Sequence, residues 1–464
     1  MEDLIIIGGG PGGYVAAIRA RQLGMKVVLA EKAAYGGTCL NHGCIPTKAY
    51  YQNASVLRTI KSSQEYNLKI DNHSFDMAAA LQRKNHIVAG SVANIEKVLQ
   101  ANGVERVMGT ATLVDKNKVQ VNGQTLKARH ILIATGSRPA SPALPGADLP
   151  GVLNSDQLLE LNMIPDRLAI IGGGVVGLEF ACIFNAFGSQ VTVFEYLPEL
   201  LNSMDHELGK RLRVFLKKQS IAVHTSATVE KIESWGRGLK LTATAKKQTV
   251  ETEADIILFA GGRKPNTQGL NLDKLGIALD EAGFIKVDQN FATNVEGIYA
   301  VGDVIGGMML AHVASEEGII AVENIAGHSQ VMDYNAIPAC VFTFPEIASV
   351  GMTEEQAKSK GLAYRTGKFQ FAANGKAQTM GEPDGMVKVL ADQNDVIIGM
   401  HIIGPHASDL IMEGTMMVKN RMKIADVIAT VHPHPTLTEA ILEAVLDIQG
   451  QSIHLLPSRR QVRP

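Results

Sequence analysis

The sequence predicts an α/β protein in which two similar units precede a C-terminal unit of α+β type. The first unit opens with LIIIGGGPGGYVAAIRARQLGMKVVLAE, and residues 168–195 repeat this pattern as LAIIGGGVVGLEFACIFNAFGSQVTVFE. In both copies Gly-x-Gly-x-x-Gly follows an apolar strand and opens a helical run. From about Pro338 the sequence changes to segments typical of antiparallel strands and helices, which indicates a separate unit.

The repeated signature is suited to binding a dinucleotide. Its first glycine makes a tight turn, its second lets the backbone approach a pyrophosphate, and its third allows close packing of helix against strand. The helix N-terminus stabilises the phosphates, and an acid 23 residues after the first glycine is placed to bind a ribose hydroxyl. Two such sites suggest FAD and a nicotinamide cofactor. The predicted binding residues are Gly8, Gly10, Gly13 and Glu31 in the first copy and Gly172, Gly174, Gly177 and Glu195 in the second.

The remaining segments supply the other elements. A helical stretch over about 75–101 ends at Asn102-Gly103, and Asn122-Gly123 is typical of a hairpin turn. Residues 131–139 and 256–267 each indicate a strand followed by a turn, and residues 297–304 indicate a strand that ends at Gly302-Asp303. We therefore expect two Rossmann-like dinucleotide-binding domains and an α+β domain. The expected boundaries are 1–145 with 267–335 for the FAD-binding domain, 146–266 for the NAD-binding domain and 336–464 for the third domain.

The segment GGTCLNHGCIPTK (36–48) places two cysteines, Cys39 and Cys44, close behind the first signature. Such a pair suggests a redox disulfide facing a redox cofactor, the alternative being two unrelated thiols. A zinc site is disfavoured because no second cysteine cluster completes four ligands. Since five residues of helix rise about 7.5 Å and the Cα atoms of a disulfide lie within roughly 7 Å, a regular helix cannot hold the bonded pair. Gly43 and Pro46 offer the distortion.

The composition excludes several classes of protein. Lysine plus arginine total 44 and aspartate plus glutamate 46, so no nucleic-acid-binding surface is indicated. Four cysteines are too few for a disulfide scaffold in so long a chain and indicate a reducing cytoplasm. Cys182 and Cys340 lie in apolar runs and are expected to be small buried residues.

We expect no leader peptide, because the first strand begins near Leu4, and no membrane span or metal site. The basic tail SRRQVRP (458–464) is expected to be solvated.

With these motifs the chain resembles the flavoprotein disulfide reductases, the class I pyridine nucleotide-disulfide oxidoreductases, and among them most the dihydrolipoamide dehydrogenases. The resemblance covers nearly the whole chain. It rests on both glycine signatures and on GGTCLNHGCIPTK, ATGSRP, GRKPNT, AVGDV and HPHPTLTEA. It implies that Cys39 attacks the substrate, that Cys44 lies beside the flavin, that Lys48 and Glu179 form an ion pair near the flavin, and that Asp303 binds the ribityl chain.

The resemblance further implies that the C-terminal domain is a dimerisation domain. His434, oriented by Glu439, would be the acid–base group and would act on the other subunit of a homodimer. The bond between His434 and Pro435 is expected to be cis, as the matching bond is in the resembling reductases. Further cofactor contacts are expected in the matched motifs, at Lys48, Thr135, Gly136 and Gly262.

The residues alone do not single out His434. Thiol–disulfide exchange needs a thiolate, and a histidine that gains or loses a proton near neutral pH suits that task. His432, His401 and His312 are alternative candidates on these grounds. His42 stands where the family commonly has an apolar residue. It could perturb the thiolate or the redox potential, or it could be a surface variation.

The expected substrate follows from family-specific positions. Pro11 and Ile18 stand where glutathione reductases carry a serine and an arginine, and an apolar side chain cannot pair a carboxylate of glutathione. Mercuric reductases and large thioredoxin reductases need C-terminal cysteines, which this sequence lacks. Glu195 would repel a 2′-phosphate, and no lysine or arginine lies between it and Lys210, which favours NAD over NADP.

The expected function is therefore oxidation of protein-bound dihydrolipoyl groups with NAD⁺, through FAD and the cysteine pair. The expected partner is a lipoyl-bearing acyltransferase (E2) of a 2-oxo acid dehydrogenase complex or the carrier protein of a glycine-cleavage system. One alternative is an NADH-dependent reductase of another small disulfide. Another is a chain that acts mainly as a structural docking subunit of such a complex.

Overall fold

The computed structural model describes residues 1–456, so the basic tail expected to be solvated lies outside the described residues. Two mainly parallel sheets are followed by an antiparallel C-terminal sheet, and helices pack against them. The fold class predicted from the repeated signature and from the change of pattern near Pro338 is therefore confirmed. The domain boundaries remain predictions.

The first sheet is built around Glu2–Ile7, which begins two residues before the predicted start. Its residues from Leu4 onward are buried, as expected of a central parallel strand. Ile298–Ala300, from a distant part of the chain, adds in parallel to Gln124–Ile133. The hydrogen-bonded order of the other strands is Glu105–Met108, Val27–Glu31, Glu2–Ile7, Gln124–Ile133, Lys118–Val121 and Ala111–Asp115.

Two local predictions in this unit can be compared with the structure. The Asn122-Gly123 turn has φ of 50° and 81° and joins two antiparallel strands, so the predicted hairpin is confirmed. The predicted helix over 75–101 spans Met77–Ala101, because the Asp76 side chain accepts a hydrogen bond from the backbone and caps the helix. It ends at Asn102, followed by Gly103 at φ 68°, as predicted.

The second parallel sheet repeats the arrangement of the first. Its strand before the glycine signature, Arg167–Ile171, pairs on one side with the strand that leads to the acid and on the other with Ile256–Phe259. The order of its strands is Ala222–His224, Gln190–Phe194, Arg167–Ile171, Ile256–Phe259 and Val152–Leu153. An antiparallel sheet packs beside it, with strands Ala227–Trp235, Gly238–Ala245 and Gln248–Ala254. A short ribbon pairs Ser137–Pro139 with Arg263–Pro265 and so links the two units.

The C-terminal sheet is antiparallel, and the helix Glu439–Ile448 packs on it. Gly367 makes this approach possible, since a Cβ there would lie 2.0 Å from the carbonyl oxygen of Ala444. Glu439 is the first residue of this helix. The strand order is Ala339–Val341, Glu346–Gly351, Ile397–Gly404, Met386–Asp392 and Tyr364–Gln370.

The helices complete the layers around these sheets. No helix within residues 1–456 is both long enough and apolar enough to span a lipid bilayer. The α-helices of the described chain are Pro11–Gln22, Gly37–His42, Cys44–Lys61, Met77–Ala101, Ser155–Leu158, Val175–Phe187, His206–Lys218, Ala311–Ile325, Glu354–Ser359, Gly375–Thr379, Ala407–Lys419, Ile424–Ile428 and Glu439–Ile448.

Candidate active site

A cavity of about 1870 Å³ is lined by residues of the first glycine signature and by the two cysteines. It brings together most of the predicted residues of the first unit and one from the second. Those that line it are Gly8, Gly10, Glu31, Cys39, Cys44, Lys48, Thr135, Gly136, Glu179 and Asp303. The remaining predicted residues lie outside its lining: Gly13, Gly172, Gly174, Gly177, Glu195, Gly262, His434 and Glu439.

The two glycine signatures form turns of the same geometry. Gly8 and Gly172 have φ of 106° and 118°, a region that favours glycine. A Cβ at Gly13 would lie 1.8 Å from the Gly8 carbonyl oxygen, and a Cβ at Gly177 would lie 2.1 Å from the Gly172 carbonyl oxygen. The third glycine of each signature is therefore required by the close approach of helix to strand, as the spacing predicts.

The second glycine of each signature precedes a helix. Gly10 and Gly174 are the extended capping residues of Pro11–Gln22 and Val175–Phe187, and neither helix has a side-chain cap. A Cβ at Gly174 would meet nothing within 4 Å. The backbone amides at both helix starts are thus accessible to an anion, which a helix N-terminus attracts.

The two acids occupy equivalent places. Each carboxylate accepts hydrogen bonds from the amide of the residue after the first glycine and from the amide two residues beyond the acid, which fixes it at the strand end. The donors are Gly9 and Ala33 for Glu31, and Gly173 and Leu197 for Glu195. This arrangement holds each carboxylate where the adenosine ribose of a dinucleotide is expected.

Cys39 and Cys44 lie on two consecutive helices, Gly37–His42 and Cys44–Lys61, and both are free thiols. Gly43 separates the helices with φ −142° and ψ −111°, and a Cβ there would lie 2.9 Å from the Thr38 carbonyl oxygen. The expectation that Gly43 breaks the helix is confirmed. Pro46 does not distort the backbone, because it lies in the first turn of the second helix, where its missing N–H is tolerated.

The surroundings of the two thiols differ. A hydrogen bond donated by the Cys39 thiol lowers the pKa of Cys44 to about 7, and the Lys48 ammonium acts in the same direction against burial. Cys44 is also the first residue of an 18-residue helix, whose N-terminal dipole favours a thiolate. The same hydrogen bond and burial raise the pKa of Cys39. Cys44 is therefore the better thiolate and the better leaving group of the pair.

Lys48 and Glu179 form an ion pair between the two units. The Lys48 Nζ atom lies 2.8 and 2.7 Å from the two carboxylate oxygens of Glu179. Glu179 is buried, and it also accepts a hydrogen bond from the backbone amide of Phe342. The Phe342 ring lies 4.3 Å from the Lys48 ammonium. A buried carboxylate paired in this way holds a cation one helical turn from Cys44.

Asp303 lies in a polar cluster at the cavity wall. Its Oδ2 atom accepts a hydrogen bond from the Ser137 hydroxyl, and the Arg263 guanidinium lies 3.8 Å away. Arg263 also donates to the Ser137 hydroxyl at 2.6 Å. The Asp303 Oδ1 atom accepts no hydrogen bond from any residue within 1–456, so it can accept one from a ligand hydroxyl. Nearby, the Thr135 hydroxyl donates to the Asn266 carbonyl, which fixes the turn after the strand.

His434 and Glu439 form a pair outside the lining of the cavity that holds the thiols of the same chain. The His434 Nδ1 atom lies 2.9 Å from the Glu439 carboxylate, and the His434 side chain is 77% exposed. Burial raises the pKa of Glu439, but the Thr436 amide and His434 outweigh it, so the pKa lies below its usual value. The His434–Pro435 bond is cis, as expected. The far nitrogen of His434 thus points outward, where a second chain could be reached.

The three alternative histidines have other surroundings. His401 is fully buried, and its ring nitrogens contact Ser349 and the Met352 carbonyl. His432 is bonded to Glu413 at 2.9 Å. His312 lines the cavity, with its Nε2 atom 2.9 Å from the Pro338 carbonyl oxygen. Of the three, only His312 reaches the cavity, which makes it the control for any test of His434.

The isolated cysteines differ from each other. Cys182 is buried, as expected. Cys340 is half-buried and lines the cavity that holds the cysteine pair, so the expectation of a buried residue is wrong for it. Its strand, Ala339–Val341, is at the edge of the C-terminal sheet, and periodicity alone does not reveal that this edge faces the cavity. Within residues 1–456 no group of three or more His, Cys, Asp or Glu side chains is arranged to hold a metal ion.

Comparison with known proteins identifies the family to which this site belongs. Residues 2–318 match the pyridine nucleotide-disulphide oxidoreductases, and residues 337–445 match the dimerisation domain of the same family. The chain belongs to this family. It is therefore a flavoprotein disulfide oxidoreductase, of a family that binds FAD and NAD(P), and its C-terminal domain is a dimerisation domain.

Similar proteins support the same assignment. The chain is 41% identical to the mitochondrial dihydrolipoyl dehydrogenase of Pisum sativum, over 98% of this chain and 93% of the relative. It is also 41% identical to the dihydrolipoyl dehydrogenase of Geobacillus stearothermophilus, over 98% of this chain and 97% of the relative. Among solved structures, LpdA from Mycobacterium tuberculosis has a TM-score of 0.88, with 28% identity and coverage of 96% and 99%. The HOCl-induced flavoprotein disulfide reductase RclA from Escherichia coli has a TM-score of 0.86, with the same identity and coverage.

The cavity of this oxidoreductase fits an extended flavin dinucleotide. It has no side chains at Gly8 and Gly10, where a pyrophosphate would pass, and its wall includes Asp303, whose Oδ1 atom is free to accept a hydrogen bond. Its lining also includes Cys44, Lys48 and Glu179. The second glycine turn, with Gly174 and Glu195, has the same geometry outside this cavity and fits the nicotinamide dinucleotide.

Some residues of the site were not predicted from the sequence. Ser137 and Arg263 lie within the quoted motifs ATGSRP and GRKPNT, so the motifs could have indicated them. Phe342 contacts both members of the Lys48–Glu179 pair, yet it is more than 150 residues distant from either in sequence. No local pattern signals such a contact, because only tertiary packing brings these segments together.

Proposed function

We propose that this oxidoreductase is a dihydrolipoamide dehydrogenase that transfers two electrons from protein-bound dihydrolipoyl groups to NAD⁺. The full-length identity to dihydrolipoyl dehydrogenases is the single observation on which the choice of substrate rests most. The site is compatible with it, since Pro11 and Ile18 offer no charge to hold glutathione. The proposed partner is a lipoyl-bearing acyltransferase or a glycine-cleavage carrier protein.

The proposed exchange begins at the oxidised pair, Cys39–Cys44. A substrate thiolate attacks the Cys39 sulfur and forms a mixed disulfide, and Cys44 leaves as a thiolate. The low pKa of Cys44 favours this departure, because a more acidic thiol leaves faster. The second substrate thiol then attacks the mixed disulfide, which releases oxidised lipoamide and leaves Cys39 and Cys44 reduced.

We assign the proton transfers to His434 of the partner subunit. It takes the proton from the substrate thiol and later returns one to Cys39 or to water. Glu439 stays ionised near neutral pH, because its pKa is lowered, and so favours the protonated imidazole. This role requires a homodimer. The dimerisation domain and the outward position of His434 support it.

The remaining residues position the cofactors. FAD, when bound, supplies the step that accepts the electron pair from the two thiols and passes it as hydride to the nicotinamide. Lys48, held by Glu179, would stabilise negative charge beside Cys44. Asp303, Glu31, Thr135 and Gly136 would hold the flavin dinucleotide along the cavity. Glu195, Gly262 and the second glycine turn would hold NAD.

A second candidate is reduction of another small disulfide with NADH. The structural similarity to RclA favours it, because that protein is described as a flavoprotein disulfide reductase induced by HOCl. Both candidates use the same thiol pair and cofactors. They differ in the substrate and in the physiological direction of electron flow.

A steady-state assay separates the two. Initial rates are measured for dihydrolipoamide with NAD⁺ or NADP⁺, and for oxidised glutathione and other small disulfides with NADH or NADPH, with Cys39→Ser as an inactive control. We expect the highest kcat/KM for dihydrolipoamide with NAD⁺. Negligible dihydrolipoamide oxidation together with rapid reduction of another disulfide would refute the proposal.

A further inference from the structure

Glu317 is a buried carboxylate for which the proposed exchange has no use. It lies on the helix Ala311–Ile325 and is 3% exposed. Its Oε2 atom accepts a hydrogen bond of 2.7 Å from the backbone amide of Gly302, and its Oε1 atom accepts one of 2.7 Å from the Tyr334 hydroxyl. Burying a carboxylate is costly unless it is hydrogen-bonded, so the two hydrogen bonds help to stabilise the Glu317 carboxylate in its buried position.

The two donors belong to separate segments of the cavity wall. Gly302 immediately precedes Asp303, and its φ of 75° marks the start of a tight turn. Tyr334 begins the short turn that leads into the C-terminal domain, and the preceding Asp333 is paired with Lys419 of that domain at 3.0 Å. Gly302, Asp303 and Tyr334 line the cavity, whereas Glu317 lies behind them. The carboxylate therefore joins two segments that a ligand would touch.

The helix that carries Glu317 is itself fixed in place. Gly318 packs against the first glycine signature, where a Cβ would lie 2.4 Å from the Gly12 carbonyl oxygen. The helix cannot move toward the signature without a clash, and the carboxylate is thus a fixed point relative to it. Burial and the charge of Asp303 raise the pKa of Glu317, and the two donors oppose that rise.

We propose that Glu317 is a positioning residue for the flavin. It holds the Gly302-Asp303 turn at the cavity wall, so that Asp303 presents its unpaired oxygen to a hydroxyl of the ribityl chain. It also ties this turn, through Tyr334, to the start of the dimerisation domain. The proposal rests on the flavin-binding role proposed for Asp303.

Three variants test the idea in the full-length holoenzyme. Glu317→Ala removes both hydrogen bonds, Tyr334→Phe removes one, and Glu317→Gln keeps an oxygen for the Gly302 amide and an NH₂ group that can donate to the Tyr334 oxygen. Glu316→Gln is the matched control, because Glu316 is the exposed neighbour on the same helix. The rate of FAD release is measured from the rise in flavin fluorescence, and the unfolding temperature of the apoprotein is measured separately.

We expect FAD release about tenfold faster in Glu317→Ala and several-fold faster in Tyr334→Phe, as the loss of hydrogen bonds to a charged group implies. Glu317→Gln should stay within about twofold of the wild type, and Glu316→Gln should be unchanged. The Tyr334→Phe apoprotein should unfold at a somewhat lower temperature than the wild type, because the buried Glu317 loses one donor, but this loss of stability should be smaller in free energy than the acceleration of FAD release. Because Tyr334→Phe removes only a hydroxyl, it decides the matter if Glu317→Ala fails to fold.

Results that contradict the positioning role of Glu317 can be told apart from results that contradict the proposed function. If the wild type holds FAD and oxidises dihydrolipoamide, but Tyr334→Phe releases FAD at the wild-type rate, the positioning role is wrong. It is also wrong if faster release appears only together with a proportionate loss of apoprotein stability. A wild type that binds no FAD would overturn both proposals.

Discussion

At the scale of single residues, the two cysteines differ by their surroundings. Cys44 lies at a helix N-terminus near Lys48, whereas Cys39 lies within the short helix that precedes it. The geometry assigns the stable thiolate to Cys44, which agrees with the place beside the flavin that family resemblance gives it.

This assignment predicts different spectra for two serine variants. A thiolate lying against bound flavin gives a long-wavelength absorbance band. We expect Cys39→Ser with oxidised flavin to show the band, because Cys44 remains as a free thiolate, and Cys44→Ser to lack it while keeping FAD. Both should lose more than 99% of disulfide turnover, or roughly 3 kcal/mol of transition-state stabilisation. The opposite pattern of absorbance would mean that the two roles are exchanged.

The acidity of Cys44 also depends on Lys48. The wild-type thiol should become a thiolate as the pH rises through about 7, so its alkylation rate should rise over that range. Lys48→Met removes a cation and leaves Glu179 unpaired, and both changes should make the thiol roughly tenfold less acidic. The measurement is the pH dependence of alkylation by iodoacetamide in a Cys39→Ser background, in which the serine hydroxyl takes the place of the Cys39 thiol as donor and Cys44 alone of the pair reacts.

Lys61→Met on the same helix is the control, since Lys61 is exposed near the far end of the helix. Its profile should coincide with that of the background. Coincident profiles for Lys48→Met and the background would show that Lys48 does not stabilise the thiolate.

At the scale of elements, glycines divide into those required by packing and those that only weaken a helix. Gly90 lies in Met77–Ala101, and a Cβ there would meet nothing within 4 Å. Gly318 is also helical, but its Cβ would press on the Gly12 carbonyl. The same change should therefore have opposite effects at the two positions.

We expect Gly90→Ala to stabilise the protein by about 0.5–1 kcal/mol, because alanine is the better helix former. Gly318→Ala should destabilise it by about 1–3 kcal/mol, because the added methyl group overfills a packed contact. Reversible urea unfolding of both variants measures the difference. Equal effects would show that the contact of the two helices is looser than described.

Many of the strands, helices and turns were predictable from the sequence. The repeated signature specified two equivalent turns, and Asn122-Gly123 and Asn102-Gly103 marked a hairpin and a helix end, because glycine and asparagine tolerate positive φ. What local pattern could not give was contact between distant segments. The pairing of Ile298–Ala300 with the first sheet, the Phe342 contact and the Glu317–Tyr334 bond all depend on tertiary packing. The role proposed for His434 came from family resemblance, since its side chain does not line the cavity that holds the thiols of its own chain.

At the scale of the whole molecule, we expect the choice between NAD and NADP to depend on Glu195. Its carboxylate is fixed by two backbone amides at the end of the second-unit strand, where a 2′-phosphate would be repelled. Glu195→Ser combined with Tyr196→Arg should raise the NADP-to-NAD ratio of kcat/KM at least about tenfold, or ~1.4 kcal/mol. Tyr196 suits this change because it is exposed. Equal wild-type efficiency with the two cofactors would remove the argument.

The most direct test of the site as a whole is complementation in mixed dimers. Chains carrying Cys39→Ser are combined with chains carrying His434→Gln, and the heterodimer is isolated with two affinity tags. If His434 serves the thiols of its partner, one site in the heterodimer keeps both groups, so about half of the wild-type activity should return. Each homodimeric variant should be nearly inactive. When His312→Gln chains replace the His434→Gln chains in the mixture, this pattern should not appear. A heterodimer as inactive as its parents, or a fully active monomer at high dilution, would contradict an active site shared between two chains.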